Sequence, residues 1–200
     1  MTTKSLTLVT GILLLSPCAA AAQRLSLRPQ IGIYIPTKDL VGVSQGGDVA
    51  KLEAGPSLGA AIAVRFGSHL GIEVTGAYVP TTFSLDDGNQ IQKQDAKLFL
   101  GDATAVLYVL PPSSMLSLWV RGGVGVVSHG GVAFTSQAET SDISGVGGAG
   151  AGIRLGGIML TAGADLFRYT ATYTGAQQTT SEVKQLDFQL KLGLGFGGGR

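Results

Sequence analysis

The 200-residue chain has little charge, one cysteine and no long apolar run. Charged residues make up 14% of the sequence, well below the roughly 25% that is usual in soluble domains. No apolar stretch approaches the about 20 consecutive residues that a membrane-spanning helix needs. This combination argues against a soluble helical protein and equally against a helical membrane protein.

The single cysteine, Cys18, lies in an N-terminal segment that is typical of a secretory signal peptide. Lys4 supplies the positive start, residues 6–15 form the apolar core, and residues 20–22 are three alanines that fit a cleavage site. We therefore predict a signal peptide over residues 1–22. Its removal would leave no cysteine, so neither a disulfide nor a thiolate metal site is expected.

The charge balance excludes another class of function. Loss of Lys4 with the signal peptide would leave 13 basic and 13 acidic residues. A chain without a basic excess has no electrostatic means of attracting a phosphate backbone. We therefore expect no nucleic-acid partner.

Glycine is abundant in the sequence, with 31 residues of 200. Apolar residues recur with a period of two. The pattern is clearest in residues 186–196, where every second residue is large and apolar and those between are small, polar or charged. Such alternation is typical of a β-strand with two unlike faces. At about 3.3 Å per residue, a strand of this length crosses the hydrocarbon core of a bilayer even when tilted by about 45°.

The same alternation predicts eight strands. They cover residues 25–35, 55–66, 70–78, 97–110, 115–127, 145–155, 158–167 and 186–196. Long polar connections at residues 36–54, 80–95, 129–144 and 169–182 alternate with short turns at residues 67–69, 111–114 and 156–157. This alternation is typical of barrels with long extracellular loops and short periplasmic turns. We predict an all-β fold, an eight-stranded antiparallel up-and-down transmembrane β-barrel over residues 23–200.

Ionic residues occur on the strand face opposite the apolar one. This predicted luminal charge network comprises Arg28, Arg65, Glu73, Asp102, Arg121, Arg154, Asp165, Asp187 and Lys191. Five positive and four negative side chains could pair across a narrow interior. An eight-stranded barrel leaves room only for side chains inside, so we predict a plugged lumen. The register of the sixth strand is the least specified, because a shift of one residue would exchange its faces.

Motifs that resemble catalytic or cofactor sites are better explained by the strand pattern. Residues 145–150 match the glycine spacing of a dinucleotide-binding turn, but no helical pattern follows them. Ser44 has the spacing of a nucleophile elbow, but it lies in a polar connection without a preceding strand. His69 and His129 are predicted near opposite ends of the barrel, where they could not share a metal ion. We predict no catalytic, cofactor-binding or metal site.

With these features together, the chain resembles small bacterial outer-membrane β-barrel proteins, the group that contains OmpX, Ail and the transmembrane domain of OmpA. In that group the last strand carries a signal that the barrel-assembly machinery recognises. The resemblance assigns this signal to Phe188, Leu190, Leu192, Leu194 and Phe196. It also implies an integral, monomeric protein of the Gram-negative outer membrane, with outer-membrane lipids as further partners and no cofactor.

Members of this group are mostly not enzymes, so the resemblance implies a structural or surface-interaction role. An extracellular ligand would bind the four loops at residues 37–54, 81–95, 129–144 and 170–182, because loops on a rigid scaffold carry binding. Three alternatives stay open: a lipid-modifying barrel enzyme that uses Ser128 and His129, a narrow pore, and a soluble periplasmic β-barrel.

Overall fold

The computed structural model describes residues 23–37, 49–86, 90–132, 141–174 and 180–197. Nine antiparallel strands contain nearly all of these residues. They are β1 (Gln23–Pro36), β2 (Val49–Leu52), β3 (Gly55–Phe66), β4 (Leu70–Asp86), β5 (Ile91–Leu110), β6 (Leu116–Gly131), β7 (Ser141–Leu155), β8 (Ile158–Thr174) and β9 (Thr180–Gly197). Over the same ranges, no helix is long and apolar enough to cross a membrane. The predicted signal peptide lies outside the described residues.

Eight of these strands form a closed antiparallel ring. Neighbours pair in the order β1, β3, β4, β5, β6, β7, β8 and β9, and β9 returns to pair with β1, where Leu27 lies opposite Phe196. The short strand β2 pairs with the end of β4 that extends beyond β3, with Leu52 opposite Phe83. The predicted eight-stranded up-and-down barrel is confirmed.

Three tight turns define one end of the barrel, which we call the turn end. They lie at residues 67–69, 111–115 and 156–157, at the three predicted turns, of which the second is one residue longer than predicted. Gly67 and Gly156 have φ angles of 73° and 62°, a left-handed conformation that glycine adopts without a Cβ clash. The opposite end of the ring, where the longer connections lie, is the loop end.

The strands continue further toward the loop end than the sequence predicts. The connection expected over residues 80–95 is largely a hairpin, because β4 and β5 stay paired from Leu70 to Asp86. The connection expected over residues 36–54 contains β2. The ends of β6, β7, β8 and β9 likewise extend into the predicted connections. The predicted loop boundaries were wrong because they coincide with the end of the outward apolar residues. A hydrogen-bonded hairpin can continue beyond that point with polar side chains.

The outer face of all eight ring strands carries exposed apolar side chains, which we call the apolar belt. Leu58 and Leu192 on this belt are 58% and 59% exposed, whereas the inward-facing Arg65 and Asp165 are 4% and 2% exposed. Apolar residues therefore face outward and ionic residues inward, the reverse of a soluble domain.

Aromatic side chains lie on the outer face near the two edges of the belt. Phe66, Tyr78, Phe99 and Phe196 are exposed on that face. The rings of Tyr78 and Phe99, on adjacent strands, are 5.1 Å apart between centroids. Trp119 faces inward and is 6% exposed, so it packs in the interior and does not belong to this aromatic girdle.

Inward-facing glycines on β7 make room for large side chains on β6. Gly150 lies opposite Trp119 and Gly148 opposite Arg121. A Cβ at Gly150 would overlap the Trp119 indole. A Cβ at Gly148 would overlap the Asp165 carboxylate that Arg121 binds, and it would lie 3.3 Å from Arg121 Nε. The interior of an eight-stranded barrel is only wide enough for side chains, so a bulky residue on one strand requires a small one beside it.

This packing fixes the register of β7, the predicted sixth strand. Ala149 and Ile153 face outward, whereas Val146 and Gly152 are buried, so the predicted faces are confirmed. Residues 145–150 lie within this strand, so their glycine spacing does not form a phosphate-binding turn.

The glycine packing predicts a position-specific effect of adding one methyl group to β7. Gly150→Ala should lower the free energy of unfolding by about 1–3 kcal/mol, because the rigid Trp119 ring cannot move aside. Gly147→Ala is the matched control, since a Cβ there meets nothing within 4 Å. Urea unfolding of the refolded protein in detergent micelles measures both. Equal stability of the two variants would contradict the packing.

Candidate functional site

The middle of the barrel interior contains a group of paired charges, which we call the central cluster. Its members are Arg28, Glu73, Asp102, Arg121, Asp165 and Lys191. Arg121 is the hub: its Nη1 lies 2.8 Å from Glu73 Oε1 and 3.2 Å from Asp102 Oδ1, and its Nε donates to Asp165 Oδ1 at 2.8 Å. Its side chain is 1% exposed.

Two further cations complete the central cluster. Arg28 donates a hydrogen bond to Glu73, and its guanidinium carbon lies 5.6 Å from the centroid of the Trp119 ring. Lys191 Nζ lies 2.5 Å from Asp165 Oδ2. The central cluster thus contains three positive and three negative groups, and its formal charges cancel.

The central cluster connects opposite walls of the barrel. One member lies on each of β1, β4, β5, β6, β8 and β9, so six of the eight ring strands are joined through side chains as well as through their ladders. A buried charge is tolerated only when it is paired and hydrogen-bonded. Burial of each charge therefore requires that the strand carrying its partner is in place.

The other three residues of the predicted charge network lie apart from the central cluster. Arg65 and Arg154 lie at the turn end, where Arg154 donates from Nε and Nη2 to the backbone oxygen of Pro112 at 2.9 and 2.5 Å. Asp187 lies toward the loop end. Nine ionic residues were predicted on the inner face, and six of them lie together in the central cluster.

Asp187 is held by hydroxyl groups that the sequence analysis did not single out. Its carboxylate accepts hydrogen bonds from the Tyr34 and Tyr169 hydroxyls, the latter at 2.7 Å. The backbone N–H of Thr37 donates to its other oxygen at 3.4 Å. Both tyrosines lie at inward-facing positions of their strands. The alternation of the two faces could therefore have identified them in the sequence as candidate partners of an inner-face charge.

Around the Asp187 group, the loop-end half of the interior contains many buried apolar side chains, whereas the sequence analysis singled out only ionic residues on the inner face. Val79, Leu98, Val127 and Phe167 are each 0% exposed. The full loop-end apolar cluster comprises Tyr34, Leu52, Ala77, Val79, Phe83, Ala96, Leu98, Leu100, Val127, Val146, Phe167, Tyr169 and Ala171. The sequence contains a signal of this cluster that the analysis did not use. At residues 98–100 the alternation of apolar and polar residues stops, and three large apolar residues follow one another because both faces of the strand are apolar there.

The hypothesised serine–histidine pair does not form. His129 faces the interior at 6% exposure, with Nδ1 3.6 Å from Asp142 Oδ2. Ser128 is the preceding residue of the same strand, and successive side chains of a strand point to opposite faces. The Ser128 hydroxyl accepts a hydrogen bond from Ser141 at 2.9 Å. Hydroxyl and imidazole therefore lie on opposite sides of the barrel wall.

The two histidines lie at opposite ends of the barrel. His69 is in the turn after β3, where its Nδ1 is 2.7 Å from the Ser68 hydroxyl, and His129 is near the loop end. Within the described ranges, no group of three or more His, Cys, Asp or Glu side chains could hold a metal ion. The Ser44 motif lies outside the described residues.

The residues assigned to the barrel-assembly signal lie together on the outer face of β9. Their side chains are between 40% and 59% exposed. The set comprises Phe188, Leu190, Leu192, Leu194 and Phe196. They form one continuous apolar stripe beside the seam with β1.

The central cluster predicts a large effect of removing its hub. Arg121→Met should lower the free energy of unfolding by about 3–5 kcal/mol, because it leaves buried carboxylates without their shared partner. Lys93→Met is the control: it removes an exposed pair, in which Lys93 Nζ is 2.7 Å from Glu53 Oε1, and should change stability little. Urea unfolding in micelles compares them, and a stability of R121M equal to that of K93M would contradict the role of the hub.

Three comparisons with known proteins show which proteins share this architecture. No protein-family model matches the chain, and no curated protein matches it either. Among solved structures, Neisserial surface protein A matches with a TM-score of 0.60 at 11% identity, covering 86% of this chain and 96% of that chain.

Two further solved structures match over similar lengths. Outer membrane protein W of E. coli matches with a TM-score of 0.51 at 16% identity, covering 88% of this chain and 97% of that chain. Ail of Yersinia pestis matches with a TM-score of 0.49 at 15% identity, covering 88% and 99%. The assignment of the fold uses Neisserial surface protein A and outer membrane protein W, whose TM-scores exceed 0.5. The chain therefore has the fold of the small outer-membrane β-barrel proteins, a closed antiparallel ring of eight strands.

Proposed function

We propose that the protein is an integral β-barrel of the Gram-negative outer membrane with a sealed interior and a non-enzymatic, structural or surface-interaction role. The observation that carries the proposal is the distribution of side chains across the wall. Apolar residues are exposed on every ring strand, while the paired charges are buried inside. In water this arrangement would expose a large apolar surface, which soluble monomers avoid; in a bilayer it is the favourable one.

The position of the outward-facing charges supports membrane insertion in a defined orientation along the barrel axis. Lys97, Arg168 and Lys184 are exposed and face outward, and each lies on the loop-end side of the apolar belt. Charges on the lipid face cost least near the interface. The belt would therefore lie in the hydrocarbon core, with these charges at its loop-end interface. In such barrels the longer loops are extracellular, so the loop end would face out of the cell and the turn end the periplasm.

The interior supports a sealed barrel. The central cluster occupies the middle of the lumen and the loop-end apolar cluster fills the half above it. Ions crossing such an interior would have to break buried ion pairs and then pass between closely packed, largely apolar side chains, which is costly. A narrow pore is therefore the less favoured function.

The loop end offers a scaffold for binding. The β4–β5 hairpin stays paired up to Asp86 opposite Ile91, and β2 adds a further strand to it. On this projection Lys93 donates a hydrogen bond to Glu53, and that bond lowers the pKa of the Glu53 carboxyl. Rigid hairpins that present polar residues are suited to contact with an extracellular ligand or a neighbouring surface.

The remaining parts of the proposal concern maturation. A signal peptide over residues 1–22 would direct export, and the outward stripe from Phe188 to Phe196 would be recognised by the barrel-assembly machinery. Outer-membrane lipids would then cover the apolar belt. We propose a monomer without a cofactor, because the ring is closed and needs no partner strand.

Membrane insertion can be tested with a pair of arginine substitutions. Leu192→Arg places a charge in the middle of the belt and should destabilise the vesicle-embedded barrel by about 2–4 kcal/mol. Thr170→Arg, on an outward position toward the loop end, is the control and should insert normally. Refolding into lipid vesicles, followed by heat-modifiable gel mobility, measures both. Equal refolding of the two variants would favour a soluble barrel.

The sealed interior predicts the absence of steady conductance. Purified protein reconstituted in planar bilayers should produce no stepwise current increments over the voltage range that the bilayer tolerates. Heat-modifiable mobility of the same preparation establishes that the barrel is folded. Reproducible, stable single-channel steps would contradict the sealed lumen and favour the pore.

The non-enzymatic proposal predicts unchanged lipid. Expression of the full chain in a Gram-negative host should leave the number of acyl chains on lipid A as in cells without it, as measured by mass spectrometry. The Ser128→Ala, His129→Ala double variant should give the same spectrum. A change in acylation with the unmodified chain that the double variant abolishes would establish the enzyme instead.

A further inference from the structure

Two cations lie side by side on the outer face of the barrel, immediately beyond the loop-end edge of the apolar belt. Arg168 on β8 and Lys184 on β9 are both exposed; together we call them the basic pair. In the β8–β9 ladder Arg168 lies opposite Leu186 and Lys184 lies opposite Thr170, so the two cations are diagonal neighbours on one face. The Cβ atoms of such neighbours are about 7 Å apart, which brings both charged groups within reach of one small anion.

The basic pair is not neutralised by the part of the chain that the structure describes. Neither side chain is hydrogen-bonded or ion-paired to another residue of the described ranges. The one carboxylate on the outer face of these two strands is Glu182, which lies opposite Thr172, one outward position further from the belt. Within the same ranges Glu182 bonds to neither cation. Like charges that are neighbours on one face of a sheet repel each other, so the basic pair favours a counter-charge from outside the chain.

The height of the basic pair above the belt coincides with the lipid headgroups. Phe188 is the loop-end residue of the outward stripe of β9; Leu186, at the level of Arg168, is two residues beyond it and Lys184 is four. At about 3.4 Å per residue and a tilt of about 45°, these levels lie roughly 5 and 10 Å above Phe188 along the membrane normal. The headgroup layer on each side of the hydrocarbon core is about 5–8 Å thick, and a long lysine side chain can direct its ammonium group into that layer.

We propose that the basic pair binds a phosphate monoester of lipid A in the outer leaflet. The proposal rests on the proposed membrane function, in which the loop end faces out of the cell. A phosphate monoester carries a charge of about −1.5 to −2 near neutral pH and three acceptor oxygens, which matches two cations, whereas the phosphodiester of a phospholipid carries a single negative charge. The Arg168 guanidinium can donate two parallel hydrogen bonds to a phosphate, and the Lys184 ammonium contributes a compact charge.

The belt directly below the basic pair favours a lipid over free phosphate. Leu166 and Phe188 lie opposite each other in the β8–β9 ladder, one outward position below Arg168, and Phe188 is 40% exposed. A lipid whose phosphate lies between the two cations would place its acyl chains against these side chains. Inorganic phosphate would use the charges alone and leave the apolar contact unmade.

Thermal stability in vesicles of defined composition tests the site. The protein is refolded into phosphatidylcholine vesicles that contain either diphosphoryl lipid A or the phosphodiester phosphatidylglycerol, mixed to equal zeta potential. The temperature at which the folded gel band is lost on heating should be about 3–6 °C higher with lipid A. Inorganic phosphate added to the phosphatidylglycerol vesicles should not reproduce this gain. An equal midpoint with both lipids, or an equal gain from inorganic phosphate, would contradict the site.

Variants assign the effect to the basic pair. Lys184→Gln should reduce the lipid A gain, and the double variant Arg168→Gln, Lys184→Gln should abolish it; Arg168→Gln alone replaces the double variant if the latter does not refold. Lys97→Gln is the matched control, because Lys97 is also an exposed cation beyond the belt but lies between Pro80 and Gly130, without a second cation directly across. It should keep the gain. A lipid A gain that survives in the folded double variant would refute the proposal.

The site and the proposed membrane function fail in different ways. A chain that forms no heat-modifiable band in any vesicle would refute the membrane function and the lipid site together. A barrel that folds in all vesicles but is no more stable with lipid A than with phosphatidylglycerol would refute the site alone and leave the membrane function standing.

Discussion

Closure of the sheet between its first and last strands is the constraint on which the rest of the structure depends. In lipid, backbone N–H and C=O groups have no water to bond to, so an open sheet edge cannot be exposed there. The β1–β9 ladder removes that edge, and it forms although β1 contains Pro29, which has no N–H to donate. The paired register continues on both sides of this proline, with Leu27 opposite Phe196 and Gln30 opposite Gly193.

A closed ring of eight strands creates an interior that must be filled by side chains alone, and this explains the composition. Arg121 and Trp119 extend across the lumen because Gly148 and Gly150 on the neighbouring strand have no side chains to obstruct them. These two glycines are thus the counterpart of two large inward residues. The charges in the middle of this space balance within the central cluster, while the loop-end half contains an apolar cluster and the hydrogen-bonded Asp187. Packing, charge balance and closure therefore depend on one another.

Most of the fold follows from the period-two pattern, because an apolar outer face and an ionic inner face impose opposite preferences on successive residues. The pattern located the eight ring strands and placed residues such as Arg121 and Asp165 on the inner face. It could not identify which charges would pair, since partners such as Glu73 and Arg121 are 48 positions apart in sequence. It also failed where both faces of a strand are apolar, as around Leu98, and where hairpins extend beyond the belt with polar residues on the outer face.

The central claim is that the two faces of each strand meet lipid and packed interior respectively, and site-directed spin labelling tests it most directly. Residues 23–200 contain no cysteine, so single cysteines at positions 188 to 196 of β9 can be labelled one at a time in vesicles. Collisions with dissolved oxygen report exposure to lipid, and collisions with a water-soluble nickel complex report exposure to water. The account predicts high oxygen accessibility at even positions and low accessibility to both reagents at odd ones. High nickel accessibility at 190, 192 and 194 would contradict it.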